Sequence, residues 1–149
     1  MPQSAFHDFQ VEQAKACFNL VWEYIDKEDR TEDDNINMIH AAHASRFLWG
    51  KVGEPVNLER GEWQVSKVYA ILGMGEQALL HASACLKICE LYTIKDWDIV
   101  FAYMAIAEAH KVLGNTSDYE SFKKRATELV AGIKDPKDKE YTLNELDQL

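Results

Sequence analysis

Apolar residues recur at steps of three and four along nearly the whole chain, the spacing of one face of an α-helix. In the first segment Phe6, Phe9, Gln13, Cys17, Leu20 and Tyr24 form such a stripe, expected to face inward, and Ser4 stands where an N-cap is needed. Thr31 can cap the second helix. Glu32, Asp33 and Asp34 fill its first turn, where carboxylates favour the positive end of the helix dipole. This helix is predicted to run to about Trp49 and to end at Gly50. "KVGEPVNLERG" then breaks the pattern: Gly53 suits a left-handed turn, and Pro55 the first position of a third helix.

Leu58, Glu62, Val65, Tyr69 and Leu72 make the stripe of the third helix, with one carboxylate among them. "LGMGE" reads as a tight turn, and the fourth helix carries Ala78, Ala82, Cys85, Cys89 and Tyr92 on one face. Asp96 is expected to cap a fifth helix with Ile99, Ala102, Ile106, Ala109 and Leu113, closed by Gly114. Ser117 and Glu120 have the spacing of a capping box before a sixth helix with Tyr119, Phe122, Ala126, Leu129 and Ile133. Leu143, Leu146 and Leu149 suggest a short closing helix. Seven glycines and three prolines in 149 residues leave little turn material for an all-β chain. The predicted fold is all-α: one domain over residues 1–149, with antiparallel hairpins over about 4–50, 56–92 and 96–133. A C-terminal lid over about 138–149 completes a short solenoid.

The hairpins repeat. "YAILG" at 69–73 and "HKVLG" at 110–114 end the third and fifth helices alike, and a self-similar period of this size implies stacked helical pairs. Tyr69, Gly73, Ala78, Ala82 and Cys85 in one unit, and Ala107, His110, Gly114 and Ala126 in the next, resemble tetratricopeptide-repeat hairpins over about residues 59–133. The period here is longer than that family's, Tyr119 and Lys123 depart from its usual residues, and its Trp-Leu-Gly opening and closing Pro are not clearly met. The resemblance implies a concave groove that binds a peptide or a partner protein.

Charge narrows the partners. The formal net charge is −9, and "DKEDRTEDD" at 26–34 holds six acids against two bases. No basic stripe offsets this, so nucleic acid and anionic membrane are disfavoured. The acidic stretch lacks the alternating ligands around a glycine that a Ca²⁺ loop needs. No run approaches the ~18 apolar residues of a membrane span. The opening "MPQSAFHDFQVEQ" has no charged-then-apolar leader pattern, and Cys17, Cys85 and Cys89 are odd in number, so a reducing, cytoplasmic setting is expected.

"HAAHASRFLWG" at 40–50 concentrates the candidate chemistry. His40 and His43 lie three apart beside Arg46, while Ala41, Ala44 and Ser45 let a neighbouring helix approach, which puts the second helix at the centre. Glu62 interrupts the apolar stripe of the third helix and needs a partner when buried, and Arg46 or His43 can supply it. Trp49, Trp63 and Tyr69 are expected in the same region. His40, His43, Arg46, Trp49, Glu62, Trp63 and Tyr69 are therefore the candidate ligand-binding set. It reads as a register-fixing network, or as an aromatic pocket in which Arg46 grips a peptide end or small anion. Two histidines do not make a metal site, and His81, Cys85 and Cys89 read better as packing than as zinc ligands, so no metal or cofactor is expected. No catalytic fingerprint is present. The expected role is a non-catalytic scaffold or binding module for a peptide, a protein partner or a second copy. The alternative is a metal- or small-molecule-dependent enzyme built in a helical bundle.

Overall fold

The computed structural model describes residues 4–149, so the first three residues of the expected 1–149 unit lie outside it. Seven α-helices and one 3-10 turn make up its regular structure, with no strand among the described residues. Helix α1 (Ala5–Asp26) begins where the Ser4 hydroxyl accepts the His7 N–H at 3.0 Å. Helix α2 (Glu32–Val52) begins with a complete capping box: Thr31 Oγ1 accepts the Asp34 N–H and the Asp34 carboxylate accepts the Thr31 N–H. Between them Arg30 donates to the carbonyls of Tyr24, Ile25 and Lys27, satisfying groups that the end of α1 leaves open.

Helix α2 runs past Gly50 to Val52, two residues beyond its expected end. Gly53 is extended, with φ −101° and ψ 179°, and not left-handed. It is needed for close approach: a Cβ there would lie 2.8 Å from both the ring and the carbonyl of Trp49. Pro55 opens α3 (Pro55–Ile71) as expected.

The turn from α3 to α4 (Gly75–Leu91) and the turn from α5 (Trp97–Leu113) to α6 (Thr116–Leu129) are built alike. Gly73 and Gly114 are both left-handed, at φ 74° and 78°. The Met74 N–H reaches back to the Tyr69 carbonyl at 2.8 Å, and the Asn115 N–H to the His110 carbonyl at 2.9 Å. Helix α4 closes in the same way on Thr93, at φ 54°, with the Ile94 N–H on the Cys89 carbonyl. Two expected caps are replaced. Asp96 makes no cap bond and instead accepts the Lys134 N–H, tying the start of α5 to the end of the 3-10 turn Val130–Gly132. Helix α6 starts at Thr116, so Ser117 lies inside it, and Asn115 turns its amide to His110.

Each hairpin packs as a pair, α1 on α2, α3 on α4 and α5 on α6; α3 lies beside both α1 and α5, and α7 (Pro136–Gln148) packs on α5, α6 and the 3-10 turn. This is an all-α stack of helical hairpins. Its centre is α3 and not α2: no residue from Pro55 to Ile71 is exposed, and the helix touches α1, α2, α4 and α5. Small and polar residues allow this. A Cβ on Gly61 would come within 2.9 Å of Arg46, so α2 and α3 meet there at the closest spacing a side chain permits. Ser66 donates to the Ala78 carbonyl, Ser45 to the Ala14 carbonyl and Gln64 to the Phe18 carbonyl, each fastening one helix crossing.

The inward stripe of α1 is rotated from the expected one. Ala14 and Val21 are buried, whereas Phe6, Phe9 and Leu20 are exposed, because the crossing at Ser45 needs a small residue. On α7 it is Thr142 and Leu146 that are buried, and Leu143 is exposed. No helix among the described residues is long and apolar enough to cross a membrane.

Candidate functional site

The candidate set separates into two places on different faces of α3. Adjacent helical residues point about 100° apart, so Glu62 and Trp63 face different neighbours. On one side Arg46 donates from Nε to Glu62 Oε1 at 3.0 Å, and His81 Nδ1 meets Glu62 Oε2 at 2.7 Å. His43 Nε2 pairs with the Tyr69 hydroxyl at 2.8 Å, and the Tyr69 and His81 rings stack 5.7 Å apart. Burial pushes the Glu62 carboxyl up, but the His81 hydrogen bond and charge, with Arg46 behind them, hold it below its usual range. Burial, with His81 as a second cause, pushes His43 below the ordinary imidazole value. Of the candidate set, His43, Arg46, Glu62 and Tyr69 are each engaged by another side chain of this network. His40 is exposed, and Trp49 packs against Gly53 at the end of α2.

On the other face α1, α3, α5 and α7 line a half-open cavity of about 300 Å³. Phe18, Trp22, Trp63, Trp97, Phe101 and Tyr141 supply its aromatic walls. The rings form a continuous series, with Trp22 to Trp63 and Trp63 to Phe101 both 5.9 Å between centroids, and Tyr141 stacked on Phe101 at 6.3 Å. Within this wall Arg60 makes a two-pronged bond to Asp98, both contacts at 3.0 Å, and its guanidinium lies 4.4 Å from the Trp97 ring centre. Asp138 adds a carboxylate at the α7 edge.

Glu59 forms part of the same wall yet is sealed, at 1% exposure. Its Oε2 accepts from Cys85 Sγ at 3.3 Å and Cys89 Sγ at 3.6 Å. Its Oε1 has no donor, Arg60 Nε being 3.7 Å away. As a carboxylate this oxygen would be stranded. As a neutral acid it can donate to the neighbouring Asp98. Burial first, then Asp98, push the Glu59 carboxyl up to about 10, which keeps it protonated at neutral pH. The hydrogen bond with Cys89, followed by burial, holds the Cys85 thiol well above its usual value.

No protein-family model, curated protein or solved structure matches this chain.

Six residues central to these two places fell outside the candidate set: Trp22, Glu59, Arg60, His81, Trp97 and Asp98. A signal for the aromatic wall was present, since Trp22, Trp63 and Trp97 stand one on the first helix of each hairpin. His81 was grouped by its four-residue spacing with Cys85 and Cys89. Two such steps rotate about 80° around a helix, and the ring turns instead to Glu62 and Tyr69. Glu59 takes the place beside the thiols.

Proposed function

We propose that this chain is a non-catalytic binding module whose aromatic cavity holds a basic side chain of a partner peptide. The observation that carries this reading is the cavity itself: six rings drawn from the first helix of each hairpin and from α7, with Asp98 and Asp138 among them. Aromatic faces and carboxylates together favour a cation over an anion. The intramolecular pair of Arg60 with Trp97 and Asp98 is a working example of that recognition inside the same wall. The net charge of −9 adds long-range attraction for a basic partner. The resemblance of residues 59–133 to tetratricopeptide hairpins supports a peptide as the ligand. Arg46 is bound to Glu62 and so does not serve as a grip for a peptide carboxylate.

Trp22, Trp63 and Trp97 provide an internal reporter. Synthetic octapeptides of arginine and of glutamate, each titrated against tryptophan emission, test the proposal. The arginine peptide is expected to change the emission saturably, with an affinity that falls as salt rises. Asp138→Asn should weaken it, and Tyr141→Ala should weaken it further. An equal response to the glutamate peptide, or none to either, overturns the reading.

A further inference from the structure

Glu59, Cys85 and Cys89 form the one group of three potential metal-ligating side chains that converge on a common point among the described residues. One ligating atom from each lies within 4.8 Å of the others, and all three residues are buried. Helix α4 presents the two sulfurs one turn apart, and α3 brings the carboxyl between them. A sealed carboxyl is an expensive way to fill a helix crossing, because a residue of similar volume without charge packs there at no desolvation cost. Glu59 Oε1, moreover, accepts no hydrogen bond from any protein donor.

We infer that Glu59, Cys85 and Cys89 bind a thiophilic d¹⁰ cation of the zinc class, held between α3 and α4 behind the aromatic cavity. Two thiolates select soft or borderline ions, and a single carboxylate is too few oxygens for Ca²⁺ or Mg²⁺. Ligand distances of about 2.3 Å for Zn–S and about 2.0–2.2 Å for Zn–O place neighbouring donors of a tetrahedron roughly 3.5 Å apart. The present S···O separations of 3.3 and 3.6 Å are already close to that spacing, and all three donors lie within 4.8 Å of one another. The group offers three protein donors, so a water would complete the tetrahedron.

One divalent ion replaces three protons, two from the thiols and one from the Glu59 carboxyl, so the site passes from neutral to a net −1. The Arg60 guanidinium, with Nε 3.7 Å from Glu59 Oε1, lies beside this charge but is already paired with Asp98, so the loaded site keeps a net negative charge. Binding therefore releases protons and strengthens as pH rises. The site does not depend on the cavity's ligand, so it can hold even if the basic-peptide reading fails.

Chelator-stripped, reduced full-length protein titrated with Cd²⁺ tests this. The expected result is a sulfur-to-cadmium charge-transfer band that saturates at one equivalent. It should be absent in Cys85→Ser and Cys89→Ser and intact in Cys17→Ser. Glu59→Gln should keep the band but weaken binding by about tenfold or more. Because a serine variant can fail to fold, the wild type is also alkylated with and without Cd²⁺ and the modified thiols are mapped by mass spectrometry. The metal should protect Cys85 and Cys89, and not half-exposed Cys17. Absence of the band, its survival in folded Cys85→Ser and Cys89→Ser, or protection confined to Cys17 overturns the assignment.

Discussion

A carboxyl sealed between two thiols and an aspartate takes up a proton when the chain folds, and Glu59 should report this in the metal-free protein. Its folded value is pushed up to about 10 from an ordinary 4.5. A raised value stabilises the fold fully below the unfolded value, and that contribution is lost as pH rises toward the folded one. Glu59→Gln keeps the neutral shape without the titration. The variant should gain on the wild type as pH rises from about 5 to about 8, by up to about 1.4 kcal/mol per unit. Parallel urea midpoints for the two proteins across that range would remove the neutral-acid assignment. Glu62 behaves in the opposite sense: it is held low by His81 and Arg46, so its contribution is present above the ordinary carboxylate value and lost on acidification. Glu62→Ala strands Arg46 and His81 and should cost about 1–3 kcal/mol at neutral pH. The Arg46→Ala/Glu62→Ala double variant should cost less than the sum of the two single changes, because the residues share one bond. Strict additivity in denaturant melts would mean the pair contributes nothing jointly. The sequence offered Arg46 or His43 to Glu62 because a lone carboxylate in an apolar stripe must find a neighbour, and the partners are Arg46 and His81. It concealed Glu59, which stands outside that stripe and is buried only because α3 is enclosed on every side.

Many helix starts and stops were legible from a local rule, although Gly50, Asp96 and Ser117 do not act as the ends expected of them. Ser4, Thr31, Pro55, Gly73 and Gly114 all act as their chemistry predicts, since capping and positive φ depend on a few neighbouring atoms. Gly53 was misread because its constraint is a packing distance and not a dihedral, and distances to Trp49 are not written locally. The two kinds of constraint give opposite expectations. Gly53→Ala should lose about 1–3 kcal/mol, since backbone and ring must both give way. Thr93→Gly should gain up to about 1 kcal/mol, because a β-branched residue at φ 54° is strained and glycine is not. Thermal midpoints of the two variants check both signs. A Thr93→Gly protein no more stable than wild type would show that the α4 turn is not strained at that residue.

At the scale of the molecule, stacking order was readable from the repeat, but which faces meet was not. The inner row of α1, α3 and α5 arises from non-local packing, and it alone brings Trp22, Trp63 and Trp97 into one wall. The last component is α7, which closes the cavity with Asp138 and Tyr141 while Leu146 and Thr142 anchor it to the stack. Lys111 and Tyr119 both donate to the Leu149 carbonyl, so the end of the helix is also held. Leu146 anchors without lining the cavity and Tyr141 lines it while exposed, so the two roles should separate experimentally. Leu146→Ala, at 4% exposure, should cost about 2–5 kcal/mol and loosen α7, which then affects folding and binding together. Tyr141→Ala, at 61% exposure, should change stability by no more than about 0.5–1 kcal/mol. It still deletes the ring stacked on Phe101, so binding of the arginine octapeptide should drop although the fold is kept. Paired denaturation and tryptophan titrations read the two effects. If Tyr141→Ala binds as wild type does, α7 is a structural cap, and the cavity's recognition belongs to the three hairpins alone.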